Sequence, residues 1–84
     1  MDFEEFISHP FRIVNGRFES VGNVCYGVYR VQKFGWGGNE YKIEGDYSAH
    51  DYSIDTDAYG DWYLKKGYTN ICRLYHQGGE NWTM

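Results

Sequence analysis

Asn15-Gly16 stands between two short runs, Phe11-Arg12-Ile13-Val14 and Arg17-Phe18-Glu19-Ser20-Val21. Asn-Gly is the pair that most readily takes positive φ at two successive positions, which a type I′ turn requires. A two-residue turn also sets the register: Val14 faces Arg17, Ile13 faces Phe18 and Arg12 faces Glu19. Ile13 and Phe18 then share one face, while an arginine meets a glutamate on the other. The chain is therefore committed to an antiparallel hairpin near its start.

The other elements follow from weaker signals. Phe3, Phe6 and Ile7 recur at helical spacing between Asp2 and Ser8. Asp2 is placed to cap that helix, and Glu4 and Glu5 sit where the helix dipole favours acids. His9-Pro10 ends it, because the residue before a proline avoids the helical region. After a Gly22-Asn23 turn, Val24 to Phe34 is dense in Val and Tyr and reads as a long strand, with Gly27 marking a bulge or a close backbone approach. Gly35 to Asn39 is a glycine-rich loop carrying Trp36. Glu40 to Tyr47 alternates, with Tyr41, Ile43 and Tyr47 on one face and Glu40, Lys42, Glu44 and Asp46 on the other. Tyr52-Ser53-Ile54 reads as a further short strand.

The segment 57–66 carries helix signals: Thr56 or Asp57 as cap, Asp61 near the start, Lys65 and Lys66 in the last turn, and Gly67 as the stop. A hairpin through Lys65-Lys66-Gly67 competes with that reading. Tyr68 to Tyr75 reads as a strand with Ile71, Arg73 and Tyr75 on one face and Cys72 and Leu74 on the other. Gly78 to Met84, with Trp82, reads as a tail that frays at its end. The expected fold is α+β: an antiparallel sheet of four to five strands, a short N-terminal helix and a second short helix near 57–66. No strand–helix unit repeats, which argues against a parallel doubly wound sheet.

At 84 residues the chain makes one domain, 1–84. Such a chain buries roughly 60–65% of its unfolded surface, so its core is thin. Nine Tyr, five Phe and three Trp compensate, since each ring brings a large area. Cys25 and Cys72 are too few for a disulfide scaffold. The acidic start, Met1-Asp2-Phe3-Glu4-Glu5, is unlike a secretory signal, and no apolar run is long enough for a membrane helix. The expected compartment is the cytoplasm, or the host cytoplasm for a phage-encoded protein.

Charge is distributed unevenly. The net charge is −4, and no Lys or Arg occurs between Lys42 and Lys65, a gap holding Glu44, Asp46, Asp51, Asp55, Asp57 and Asp61. Such a stretch repels nucleic-acid phosphate, so direct nucleic-acid binding is not expected. Its acids alternate with rings at Tyr47, Tyr52, Tyr59 and Trp62. Spaced carboxylates imitate a phosphate backbone, and aromatic rings serve as interface anchors. The expected function is a non-enzymatic protein-interaction domain: a small inhibitor or antagonist, in size and charge like phage anti-defence and anti-CRISPR proteins. It would dock an acidic, Tyr-rich face onto the basic, nucleic-acid-binding site of a partner protein. The expected contacts are Trp36, Glu44, Asp46, Tyr47, Asp51, Tyr52, Asp55, Asp57, Tyr59, Asp61 and Trp62. No catalytic residue, metal or cofactor and no membrane partner is expected, and the chain would be a monomer or homodimer.

Other chemistries find partial support. Asp55 to Asp61 has acids at the first and third positions of a calcium loop and glycine at the sixth. Tyr59 and Lys66 occupy the fifth and twelfth, where ligands belong. Cys72 and His76 lie four apart, a spacing that converges on a helix but not on a strand. His50 with His76 offers a nuclease-type acid–base pair, and the aromatic content suits stacking on sugars. Neither has a supporting motif.

Overall fold

The computed structural model describes residues 2–20, 30–34, 40–44 and 47–84. Among them the first helix, α1, runs from Phe3 to Ile7. The Asp2 carboxylate accepts from the Glu5 amide at 2.8 Å, and Phe3, Phe6 and Ile7 are buried, as the spacing predicts. The first hairpin also agrees with expectation. Strands β1 (Phe11–Val14) and β2 (Arg17–Ser20) pair with Ile13 opposite Phe18 and Arg12 opposite Glu19. Asn15 and Gly16 have φ of 52° and 75°, both in the left-handed region that a type I′ turn uses.

The remaining strands are β3 (Arg30–Phe34), β4 (Glu40–Glu44), β5 (Tyr52–Thr56), β6 (Trp62–Lys66), β7 (Thr69–Gly78) and the three-residue β8 (Asn81–Thr83). They join β1 and β2 in one sheet of order β2-β1-β8-β7-β6-β5-β4-β3, antiparallel at every pairing. The sheet curls into a half-barrel. The expected α+β fold of four to five strands is thereby overturned: the described residues form a mainly β architecture with one small helix. Chain neighbours are sheet neighbours everywhere except at β2 and β3. The last strand returns to pair with the first, so β2 and β3 end the strand order.

Curling is built into β7. Its first part, Thr69–Leu74, pairs with β6, and its second part, Tyr75–Gly78, pairs with β8. One long strand thus serves two neighbours at different heights, the stagger that closing a sheet demands. Register irregularities between Leu64 and Lys65 and between His76 and Gly78 add local twist and bend.

No second helix forms at 57–66. The segment is a turn followed by β6, with Ile54 opposite Leu64 and Thr56 opposite Trp62. Ile54 and Leu64 are fully buried. A period of two, not 3.6, sends Trp62 and Leu64 inward and Tyr63 and Lys65 outward. The competing hairpin describes the next turn: Lys66 pairs with Thr69 across Gly67-Tyr68, and Gly67 has φ of 59°. The tail expected to fray at its end is also a strand. Gly78 and Gly79, both at positive φ, reverse the chain, and Trp82 inserts between β1 and β7. Of the strand expected over Glu40 to Tyr47, Glu40–Glu44 is strand, residues 45–46 lie outside the described residues, and Tyr47–Ala49 forms a 3-10 turn instead. Val24 to Tyr29 of the expected long strand lies outside the described residues.

The core lines the concave face. Trp82, Phe3, Phe11, Phe18, Ile13, Ile54, Leu64 and Leu74 are its most buried side chains. Helix α1 plugs one end: Phe3 packs edge-on against Phe18 at 5.0 Å and against Tyr52 at 4.9 Å, tying β2 to β5. Burial of each such ring contributes about 1.5–3 kcal/mol.

Candidate functional site

The expected docking residues divide among several environments. Trp36 and Asp46 lie outside the described residues. Glu44 ends β4 and Tyr47 opens the 3-10 turn. Asp51 is exposed just before β5, with its carboxylate 3.7 Å from His50 Nδ1. Tyr52 points the other way: it is 3% exposed and belongs to the core. Period-two alternation explains this, since Tyr52 shares the inward parity of Ile54. Burial raises the pKa of its hydroxyl, opposed in part by nearby Lys66.

The acids that follow engage the protein's own groups. Asp55 accepts from the Thr56 amide at 2.7 Å. Asp57 braces the β5–β6 turn, its Oδ1 accepting from the amides of Tyr59 and Asp61, both at 2.9 Å. The turn closes through Asp57 N–H to Asp61 carbonyl at 2.9 Å and Gly60 N–H to Asp57 carbonyl at 3.1 Å, with Gly60 at φ 84°. Asp61 pairs with Arg73 at 3.2 Å, so a cation from β7 offsets its charge. Strand β5 separates Asp51 from Asp57 by roughly 20 Å at the usual rise per residue. The acids therefore follow the length of a hairpin and do not cluster in one patch. Trp62 faces inward and is half-buried.

Large side chains do gather on the outer surface of β6, β7 and their turns. Tyr59, at the tip of the β5–β6 turn, is 90% exposed, and Tyr68, in the β6–β7 turn, is fully exposed. Ile71, which the β6–β7 register shift leaves unpaired, is exposed, and so is Tyr75, on the same parity as Arg73, whose guanidinium carbon lies 4.9 Å above the Tyr75 ring. Tyr63 pairs with Arg73 on one side and Asp55 on the other, making a row Asp55–Tyr63–Arg73 across three strands. The alternation of Ile71, Arg73 and Tyr75 placed them on one face in the sequence. Nothing local identified that face as the wet one, so Ile71, Tyr63, Tyr68, Arg73 and Tyr75 are not among the expected docking residues.

On the concave side, Tyr41, Trp62, His76 and Trp82 form an aromatic cluster. His76 stacks on Trp82 at 5.0 Å, and Trp62 and Tyr41 meet Trp82 edge-on at 5.5 and 5.1 Å. The His76 Nε2 lies 2.8 Å from the Gly79 carbonyl. The buried indole nitrogen of Trp82 has no hydrogen-bond partner among the described residues.

The acid–base alternatives lack geometry. His50 precedes β5 at the end where Tyr52 faces Lys66, whereas His76 lies two residues beyond Leu74 at the other end. The separation along β7 is on the order of 20 Å. Cys72 and His76, four apart on one strand, stand about 13 Å apart. Burial pushes the Cys72 thiol up, which disfavours the nucleophilic thiolate. Cys25 lies outside the described residues. Among the described residues no group of three or more His, Cys, Asp or Glu side chains is arranged to hold a metal ion. None of their helices is long and apolar enough to cross a membrane. Compared with family models, curated proteins and solved structures, the chain matches none.

Proposed function

We propose that this chain is a non-enzymatic protein-interaction domain that docks the outer surface of its β5–β7 segment onto a basic site of a partner protein, as a small inhibitor or antagonist would. The observation that carries the reading is the concentration of exposed apolar bulk. Of the large hydrophobic side chains exposed among the described residues, all but Met84 lie between Tyr59 and Tyr75. Tyr, Ile and Arg on a rigid sheet supply anchors with little ordering cost, and Asp51 and Asp55 supply long-range attraction to a basic partner. This surface differs from the one the acidic run implies, because Tyr52 is buried and Asp57 and Asp61 are engaged internally.

Affinity capture from the source cell, followed by binding measurements with the purified partner, tests the reading. Tyr75→Ala and Tyr59→Ala should each weaken binding about tenfold or more. Asp51→Lys and Asp55→Lys should slow association, and added salt should narrow that difference. A partner bound equally well by all four variants would overturn the proposal.

A second reading, an aromatic ligand-binding module, draws on the Trp82 indole nitrogen, unpartnered among the described residues, within the Tyr41–Trp62–His76 cluster. Tryptophan fluorescence titrated with glycans tests it: a saturable change that Trp62→Ala abolishes supports it, and a flat response removes it.

A further inference from the structure

Asn15-Gly16 is, in an unfolded chain, the dipeptide best suited to spontaneous deamidation. The Gly16 backbone nitrogen loses its proton and attacks the Asn15 side-chain carbonyl carbon. A C–N bond forms, ammonia leaves, and a five-membered succinimide results. Water then opens the ring to aspartate or isoaspartate. No cofactor or second reactant besides water is needed. Glycine makes the reaction easy because no side chain hinders the approach of its nitrogen.

In the folded protein this pair is held from outside the hairpin. The Gly16 N–H donates to the Glu80 carbonyl at 3.0 Å, and Gly16 is buried. The Asn15 N–H donates to Asn81 Oδ1 at 3.0 Å. The other end of the Asn81 amide, Nδ2, donates to the Gly78 carbonyl at 3.0 Å. One asparagine thus clamps both its own turn and the Asn15-Gly16 turn. Trp82, the next residue, anchors that clamp in the core with Ile13 opposite it. Ring closure requires the Gly16 nitrogen to shed its proton and swing onto the Asn15 side chain. The bond to Glu80 opposes both movements.

We propose that Asn15-Gly16 is a latent modification site, kept closed by the β7–β8 turn and opened whenever that turn lets go. Deamidation then reports on the seating of the C-terminal strand. The isoaspartate product adds one backbone atom to a two-residue turn, so the Ile13–Phe18 register cannot survive it. The change is one-way, and the two products differ: a chain carrying isoaspartate cannot rebuild the hairpin, whereas one carrying aspartate keeps an Asp-Gly pair that suits the same turn.

The test compares the full chain in native buffer and in concentrated urea at mildly alkaline pH, following the Asn15 peptide by mass spectrometry and isoaspartate by enzymatic methylation. Native protein should deamidate at Asn15 about tenfold or more slowly than denatured protein, because reaction requires local opening. Asn81→Ala should move the rate of the folded protein towards the urea value. Equal native and denatured rates would overturn the proposal, as would a folded Asn81→Ala protein as resistant as wild type. Wild type alone supplies a second measurement that does not depend on the variant folding. In urea concentrations below the melting transition, deamidation at Asn15 should accelerate in step with hydrogen exchange of the Gly16 amide. A deamidation rate indifferent to that exchange would also overturn it.

Discussion

Two hairpins of this molecule, β1–β2 and β5–β6, solve the same problem with opposite dependence on their surroundings. Each turns a buried pair inward, Ile13 with Phe18 in one and Ile54 with Leu64 in the other. The β5–β6 turn is braced by its own residues, with Asp57 holding the amides of Tyr59 and Asp61. The β1–β2 turn has the tighter conformation, yet its two amides are satisfied by Asn81 and Glu80 from the far end of the chain. A local turn code is therefore not the same as local stability. The hairpin with the clearest turn leans on the last turn and strand of the sequence.

Breaking the comparison most forcefully means removing Trp82. Trp82→Ala should cost about 3–5 kcal/mol, a large share of a small domain's stability. Leu64→Ala should cost about 2–5 kcal/mol. The two should differ in where exchange protection fails: Trp82→Ala should release the Asn15 and Gly16 amides first, and Leu64→Ala those of β5 and β6. Urea melting with residue-resolved hydrogen exchange checks both. Identical protection losses would mean that the two hairpins open as one unit.

A smaller effect separates the two kinds of brace. Asp57→Ala removes a carboxylate accepting two amides and should cost about 2 kcal/mol. Asn81→Ala removes a neutral side chain and should cost about 1 kcal/mol. Urea midpoints at constant slope measure the difference, and a larger loss for Asn81→Ala would reverse the ranking.

The smallest effect at neutral pH comes from titration, where it is nil. Burial raises the pKa of Tyr52, so the folded state holds that proton more tightly than the unfolded state does. Stability from this group is intact below the ordinary tyrosine value of about 10 and is lost as pH rises past it. The rings buried in β1 and β2 are phenylalanines and have nothing to titrate. Alkali should therefore loosen β5 before the first hairpin. Tyr52→Phe should move the alkaline edge of the stability profile upward, as measured by circular dichroism across alkaline pH.

Legibility followed the range of the interactions. Helix α1 and the first hairpin were readable because cap, spacing and turn chemistry all act within a few residues. The segment 57–66 was misread because Asp57, Asp61 and Gly67 carry meanings that a helix end and a hairpin share: a carboxylate accepts amides at either, and a glycine takes positive φ at either. The alternation from Trp62 to Lys66 was the contrary signal, and five residues are too short for it to prevail. Trp82 was read as a tail residue because its partners, Ile13 and His76, are distant or across a turn. The candidate surface was half legible. Acids and rings were visible as a run, but their facing depended on strand parity, which inverted Tyr52 and Trp62.

Residue order alone settled the capped helix and the Asn15-Gly16 turn with its register. Each rests on bonds or sterics that span a handful of positions. Assembly in three dimensions settled the rest: the return of β8 to β1, the double pairing of β7, the neutralisation of Asp61 by Arg73 and the wetness of the outer face. Those outcomes depend on which apolar surfaces find each other across long stretches of chain, and loop closure leaves no mark at either end of the sequence it joins.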